Sequence, residues 1–518
     1  MDDFIKGMLR PEIYDHPVAE LKLIETHISW VILTGPFAYK LKKPVNLGFA
    51  DFTSLDQRRY FCNEEIRLNQ RLAPELYLGV RPIFGTRKRP TFRGGEVPIE
   101  FAVQMRQFDQ EQLLPSVLAR DELHAHQIEQ LAVAIADFHR TAAVATFDDV
   151  YGTAATVHDA ALANLISLDD APCDRQTVTH LLMWTESEFH RCKRWFEQRH
   201  NNGFVRECHG DMHLGNMVLF NHEIRLFDCL EFNAGLRWTD VIAEVAFLVM
   251  DLQTHGRKDL GLRFLNSWLE QSGDYCGLNG WNWYLAYRAL VRAKVAVLRM
   301  QQEDVSPEEL AGKRGELQHY LNLADAVAKP LPKIVILMHG LSGSGKSHVS
   351  ERICQHFAAI RVRSDLERKR LFGMWGTLRP VPLTGDMYAA SATEFVYKDV
   401  LAESIPPILR AGFVAIIDAA ALQSWQRDHI REVARKEQAR FVLLDVQAPI
   451  EVLRDRLDRR KCDAKDISDA DIAVLEYQLA SHEPLTPHEL TEAIAVKTDS
   501  SEWWSSLEVA LRAILGQS

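Results

Sequence analysis

The stretch His209-Gly210-Asp211-Met212-His213-Leu214-Gly215-Asn216, followed twelve residues on by Asp228 in Leu226-Phe227-Asp228-Cys229, decides how this chain is read. It sets out a carboxylate, an amide five residues later and a second carboxylate at the end of an apolar run. Metal-dependent phosphoryl transfer needs those three groups. One Asp accepts the proton of the attacking hydroxyl, an Asn holds Mg²⁺, and a second Asp bridges Mg²⁺ to the nucleotide phosphates. On this reading Asp211 is the catalytic carboxylate, and Asn216 and Asp228 are metal ligands. The structural alternative is a loop whose His and Asp only stabilise turns. Five polar positions that agree in type and spacing weigh against it.

Upstream, the β-rich run Ile24–Leu33, the turn Thr34-Gly35-Pro36 and the alternating Phe37-Ala38-Tyr39-Lys40-Leu41-Lys42 predict a hairpin with Lys40 and Lys42 on one face. Leu55 to Leu72 reads as a helix carrying Glu64 and Glu65, and Ile99–Arg106 as a strand. From Gln112 to about Ile166 the pattern is helical. The order His-x-Asp-x₄-Asn then Asp resembles the catalytic loop and metal segment of the aminoglycoside phosphotransferase and choline kinase family, relatives of the protein kinases. Their usual loop, His-Gly-Asp-x-His-x-x-Asn, is matched at every position by residues 209–216. The resemblance implies a two-lobed kinase-like fold over residues 1–325. It also implies a strand lysine that meets the nucleotide phosphates and pairs with a helix glutamate. Lys40, in Ala38-x-Lys40, is the first choice and Lys42 the alternative; Glu65 is preferred to Glu64. The sequence departs from the protein kinases in having no Gly-x-Gly-x-x-Gly before the lysine strand.

Beyond the catalytic stretch, Arg237 to Leu248 reads as an amphipathic helix, with Asp240 as structural support. Tyr284 to Met300 reads as a further helix in which Arg288 and Arg292 stand at i,i+4. Like charges at that spacing repel, so protein carboxylates or an anionic substrate should offset them; both arginines are candidate substrate contacts. Lys329-Pro330-Leu331-Pro332-Lys333 breaks the helical pattern, and residues 326–332 are expected to be a stiff linker.

After the linker, the apolar run Ile334–His339 predicts a buried parallel strand. It leads into Gly340-Leu341-Ser342-Gly343-Ser344-Gly345-Lys346-Ser347 and then a helical pattern. In such a strand–loop–helix, backbone N–H groups around Gly340, Ser342, Gly343, Ser344 and Gly345 surround phosphates. Lys346 would reach the β/γ-phosphates and Ser347 would bind Mg²⁺. Further strands are expected at Ile360–Arg363, Phe413–Asp418 and Arg440–Val446. Asp365, just past the strand Ile360–Arg363, is the candidate to bind or deprotonate the acceptor hydroxyl, Arg368 and Arg427 are candidate substrate contacts, and Asp418 is a candidate metal contact. Arg456, Arg459 and Arg460 on the helix after the fourth strand are placed like lid arginines that neutralise transferred charge, Arg456 taken as catalytic. This segment, 333–518, resembles the gluconate kinase, zeta-toxin and polynucleotide-kinase-like group of P-loop kinases.

The expected fold class is therefore α/β and α+β: a two-lobed protein-kinase-like fold followed by a P-loop NTPase parallel-sheet α/β domain. The tandem order itself resembles the bacterial bifunctional aminoglycoside phosphotransferase-like/ATP-binding proteins. The implied cofactors are ATP, with GTP left open, and Mg²⁺, and the implied partner is a small-molecule acceptor. Two alternatives stand beside two active kinases: one module serving as a nucleotide-sensing regulator, or a polynucleotide 5′-kinase or toxin-like activity in the second.

Composition fits. A chain of 518 residues with 47% hydrophobic and 25% charged residues is ordinary for globular protein. No apolar run reaches transmembrane length, and Met1-Asp2-Asp3-Phe4-Ile5-Lys6 does not begin a secretory signal. Eight scattered cysteines without a Cys-x-x-Cys pair argue against zinc and a disulfide framework and fit a cytoplasmic location. A net charge of −11 gives no general attraction to nucleic acid.

Overall fold

Strands β1 (Lys22–Glu25), β2 (Ser29–Leu33), β3 (Phe37–Lys42), β4 (Tyr77–Thr86), β5 (Arg89–Thr91) and β6 (Glu100–Arg106) form one antiparallel sheet in the order β1-β2-β3-β6-β4-β5. The computed structural model describes residues 2–46, 48, 51–169, 171–302, 305–329, 331–376, 378, 386–460 and 471–516; the side chain of Arg460 lies outside the described residues. By packing, the chain falls into two compact units. The first comprises Met1–Leu131, Asp137–Val157 and Glu197–Asp251. The second comprises Ala132–Ala136, His158–Phe196 and Leu252–Ser518.

In the first unit the period-two pattern of β3 sorts its side chains to two faces. Tyr39 and Leu41 pack with Phe4, Ile5, Tyr14 and Phe92 on one side. Ala38 packs with Cys62 and Val103 on the other, the side of the helix Leu55–Asn69, and Lys40 and Lys42 share that face. This helix starts where Ser54 caps it and Gln57 closes a capping box. The predicted helical stretch 112–166 resolves into Leu114–Ala119, Ala125–Thr141 and Ala154–Ile166. The catalytic segment lies among β7 (Val205–Glu207), β8 (Met217–Phe220), β9 (Glu223–Leu226) and β10 (Trp238–Asp240). There β8 pairs with β9 and β7 with β10.

The expected amphipathic helix from Arg237 needs correction. The chain makes a short turn at Ala234–Arg237, then β10, and only then the helix Val241–Thr254. That helix has no polar face: every residue from Val241 to Leu252 is buried. Its two acidic members, Glu244 and Asp251, are tolerated inside because each accepts a backbone N–H, as described below.

The second unit carries β11 (Ile334–His339), β12 (Ala359–Arg363), β13 (Val414–Asp418), β14 (Arg440–Gln447) and β15 (Ile494–Lys497) in the order β12-β13-β11-β14-β15. All pairs are parallel. Ile334, Ile336 and Met338 of β11 pack with Val349 and Ile353 of the helix Lys346–His356 and with Leu507 and Leu511 of the last helix, Trp503–Leu515. β12 is an edge strand, and an unpaired edge is a liability. Here it is covered by the helix Lys258–Ser272. The Asn266 amide donates to the Ala359 carbonyl (3.0 Å) and accepts from the Arg361 N–H (2.9 Å), and the Tyr275 hydroxyl donates to the Arg361 carbonyl. Among the described residues no helix is long and apolar enough to cross a membrane.

Arg427 is a second correction. The sequence places it as a substrate contact, yet it is fully buried. Its Nε donates to Glu489 Oε1 at 2.7 Å, its Nη2 to Glu489 Oε2 at 3.2 Å and its Nη1 to the Ala421 carbonyl. A guanidinium committed on all sides inside the fold is a structural ion pair. Burial alone would raise the Glu489 carboxyl; its bonds to Arg427 and Thr486 outweigh this and bring it down to about 2. The folded value lies below the ordinary 4.5, so the stabilisation is complete above about pH 4.5 and is lost as pH falls towards 2. Chemical denaturation as a function of pH should show this acid-sensitive component in the wild type and lose it in Glu489→Gln. Arg427→Met, which strands the buried carboxylate, should cost about 3–5 kcal/mol near neutral pH.

Candidate active sites

In the first unit, the loop 209–216 is held from beneath by two carboxylates of the buried helix Val241–Thr254. Glu244 accepts the Gly210 N–H at 2.7 Å and the His139 Nε2–H at 3.0 Å, and Asp251 accepts the Leu214 N–H at 2.8 Å. Glu244 and Asp251 are seven residues apart, two helical turns, and so share a face. Gly210 sits at φ +88°, and a Cβ there would lie 3.0 Å from the backbone of Leu236 and Arg237. His209 is buried. Its Nε2–H donates to the Phe227 carbonyl at 3.0 Å, while its Nδ1 accepts the Asp211 N–H at 3.3 Å. That pair of bonds fits the neutral imidazole, and burial lowers the His209 pKa to favour that form. His209 thus ties the catalytic loop to the residue preceding Asp228.

Asp211 Oδ2 accepts from Asn216 Nδ2 at 2.8 Å and lies 3.3 Å from His213 Nε2. Asp228 follows β9 with a left-handed backbone, φ +63°. Its N–H donates to the Tyr77 hydroxyl, and its carboxylate pairs with Lys40. The Asp228 side chain remains 46% exposed among buried neighbours. A half-open carboxylate near a loop that carries an amide oxygen is a hard-oxygen donor set of the kind Mg²⁺ prefers.

Both lysines of β3 are paired. Lys40 joins Asp228 to Glu65 Oε1 (2.8 Å), and Lys42 joins Glu65 Oε2 (2.6 Å) to Glu231. The side chain of Lys40 retains 11% exposure and that of Lys42 none. Burial would raise the Glu65 carboxyl, but the two ammonium groups bring it to about 2, so it stays ionised. Glu64 turns elsewhere and pairs with Arg67. The sequence reading passed over Glu231, Glu244 and Asp251. The one available signal was a pair of acids seven residues apart in an otherwise apolar helix.

In the second unit, Gly340-Leu341-Ser342-Gly343-Ser344-Gly345-Lys346-Ser347 bridges β11 to the helix Lys346–His356. Gly340 has φ +140°, and a Cβ there would meet the Val446 carbonyl at 2.4 Å, so the position requires glycine. The loop's carbonyls are claimed by cations and a hydroxyl. Lys346 Nζ donates to the Gly340 and Leu341 carbonyls at 2.8 and 2.9 Å. Arg456 Nη1 donates to those of Gly343 and Ser344 at 3.2 and 3.3 Å, and the Thr498 hydroxyl donates to that of Ser344 at 2.7 Å. In a strand–loop–helix of this kind, backbone N–H groups are the ones that receive phosphate. The Ser342 N–H donates to Gln478 Oε1, and the Ser347 carbonyl accepts from Arg361, which Glu270 holds at 2.7 Å.

Residues 335–485 match the family described as AAA domain. The chain aligns with "Uncharacterized protein Rv2004c" of Mycobacterium tuberculosis at 30% identity over 453 residues, covering 86% of this chain and 88% of that one. "Uncharacterized protein Mb2027c" of Mycobacterium bovis matches to the same extent. This chain belongs to the family of those mycobacterial proteins. Among solved structures, it is similar to the GDP complex of aminoglycoside 2′-phosphotransferase-IIIa (12% identity, 61% of this chain and 97% of that one, TM-score 0.40). It is also similar to a choline/ethanolamine kinase family protein from Mesorhizobium loti (10%, 63% and 97%, 0.40) and to the Mycobacterium tuberculosis APS kinase CysC (16%, 35% and 97%, 0.25).

The remaining arginines divide. Arg456, expected as a catalytic lid residue, instead braces the loop 340–347: besides the two carbonyls it holds Thr498 Oγ1 (2.9 Å) and the Thr498 carbonyl (3.1 Å). Arg459 is 79% exposed and pairs with Asp455 one turn back. Arg460 lies outside the residues whose side chains are described. Arg368 donates to the Met387 carbonyl and Thr393 Oγ1, and Arg363 pairs with Asp365 at 3.0 Å. Asp418 is buried and accepts the Ser350 hydroxyl at 2.9 Å. Arg288 is buried beside Tyr287, and Arg292 meets the Tyr320 hydroxyl at 3.4 Å.

A hydrogen bond to a charged acceptor contributes about 1.5–3 kcal/mol. Asp251→Ala should therefore speed hydrogen exchange at the Leu214 amide by about tenfold or more, and Glu244→Ala should do the same at Gly210. The amides of the β3–β6 ladder should be unchanged.

Proposed function

We propose that this chain is an ATP- and Mg²⁺-dependent phosphotransferase that transfers the γ-phosphoryl group to a hydroxyl of a small, anionic metabolite, with a nucleotide-binding module in each unit. The observation that carries the proposal is the gathering of Asp211, Asn216, Asp228, Lys40 and Glu65 in one unit. These residues come from positions 40 to 228 of the sequence and supply each group that phosphoryl transfer requires. In this reading Asp211 accepts the proton of the acceptor hydroxyl. Asn216 and Asp228 hold Mg²⁺, which would offset charge on the nucleotide phosphates. Lys40, the more exposed of the two lysines, is the one that meets the phosphates.

In the second unit Gly340–Ser347 is the phosphate loop, Lys346 and Ser347 are its phosphate and Mg²⁺ contacts, and Asp365 is the acceptor's base. The arginines around Asp365, Arg363 and Arg368, support an anionic acceptor there, as Arg288 and Arg292 do elsewhere in that unit. We take residues 326–332 as the linker between the two catalytic modules, and a cytoplasmic location follows from the reduced cysteines this reading assumes.

Transfer of labelled γ-phosphate from ATP into a bacterial metabolite extract tests the proposal. The wild type should yield a labelled small molecule. Asp211→Ala should reduce one labelled product by about a thousandfold or more, and Lys346→Ala a different one. If the label appears only as free phosphate in every protein, the small-molecule kinase reading fails. If both variants abolish the same product, a single kinase gated by the other module replaces it.

A further inference from the structure

Kinase-type sites need one strand lysine and one helix glutamate. This chain buries a second pair beside them. Lys42 stands two residues after Lys40 on the same face of β3, about 7 Å along the strand, with no side-chain exposure. It takes the second oxygen of Glu65 and the carboxylate of Glu231 and lies 5.4 Å from the Phe52 ring. The result is one line of alternating charge, Asp228–Lys40–Glu65–Lys42–Glu231, with three carboxylates and two ammonium groups.

Glu231 is three residues beyond Asp228, and the segment between them is pinned at each step. The Asp228 N–H goes to the Tyr77 hydroxyl, the Cys229 N–H to Asn69 Oδ1 at 2.9 Å, and the Leu230 N–H to the His209 carbonyl at 3.2 Å. The Glu231 carboxylate goes to Lys42. Only the last anchor comes from the strand that also bears Lys40. With the direct Lys40–Asp228 pair, it ties the segment 228–231 to β3 at two points.

We infer that Lys42 is a positioning residue: with Glu231 it latches the Asp228 loop to β3, and by holding Glu65 it leaves Lys40 free to turn to phosphate when Asp228 turns to the metal. The inference rests on the reading that the first unit binds a Mg²⁺–nucleotide. Without Lys42, the carboxylates of Glu65 and Glu231, both buried, have only Lys40 left to pair with. They would draw Lys40 away from the nucleotide and release the loop that carries Asp228.

The test uses the full-length chain carrying Lys346→Ala, so that the phosphate loop of the second unit does not report. MgATP binding, and the Mg²⁺ concentration needed for it, are measured by equilibrium titration for this parent and after adding Lys42→Met, Lys42→Arg, or Lys42→Met with Glu231→Gln. Lys42→Met should raise the Mg²⁺ requirement by about tenfold or more, as loss of an outer-shell partner does, and Lys42→Arg should recover most of it. The double variant removes the stranded charge and should regain the parent's thermal stability while still needing more Mg²⁺. A stable double variant that binds Mg²⁺ and ATP as the parent does would overturn the positioning role and leave Lys42 purely structural. A parent that binds no MgATP would overturn the underlying reading of the first unit, and this inference with it.

Discussion

Glu65 is a buried carboxylate held between two buried lysines, and the arrangement of the first unit follows from it. An ionised carboxylate removed from water costs several kcal/mol unless its charge and lone pairs are satisfied. Here both oxygens are taken, one by Lys40 and one by Lys42, and the group stays ionised. Meeting that condition requires the period of a strand and the period of a helix to agree in space. β3 must present residues 40 and 42 on one face, and the capped helix Leu55–Asn69 must turn residue 65 towards them. The apolar contacts of Ala38, Cys62 and Val103 set the separation at which this happens. The lysines then reach beyond Glu65 to Asp228 and Glu231, which brings the metal segment to the sheet.

The loops 209–216 and 340–347 are stabilised in opposite senses, for a common reason. The loop 209–216 displays side chains, so its backbone is scaffold. The N–H groups of Gly210 and Leu214 are held by carboxylates, Glu244 and Asp251. In the loop 340–347 the carbonyls are the groups held, and they are held by donors: Lys346, Arg456 and Thr498. In each case the polar groups not needed for chemistry must still be satisfied, and the sign of the satisfying charge is fixed by which backbone group the loop keeps for its ligand. This accounts for acids inside an apolar helix in one unit and a tethered arginine in the other.

What the sequence made legible were patterns confined to short windows. The loop 209–216, the phosphate loop, the alternation of β3 and the apolar run of β11 each encode their local geometry through glycine, period or spacing. What it did not show were partners far apart in the chain. Arg427 and Arg456 carry the same charge and similar neighbours as any lid or substrate arginine. Only the fold reveals that Glu489, 62 residues on, claims the first, and that carbonyls 113 and 112 residues earlier claim the second. Glu231 likewise reads as an ordinary acid until Lys42 is found 189 residues away. The choice between Lys40 and Lys42 was open for the same reason: alternation places both on one face, and only their long-range partners distinguish them.

The segment 252–327 shows how packing and catalytic resemblance answer different questions. By sequence it is expected to belong to the kinase-like module, 1–325, ahead of a linker. By packing it belongs to the unit that holds the parallel sheet. The sheet itself gives the physical reason. β12 lies at its edge, and the backbone groups of Ala359 and Arg361 need partners that no further strand provides. Asn266 supplies a donor and an acceptor from one side chain, Tyr275 supplies another donor, and Glu270 fixes the Arg361 guanidinium that reaches the Ser347 carbonyl. A parallel sheet whose edge and phosphate loop are both completed by a preceding helix draws part of its stability from residues outside its own sequence motif.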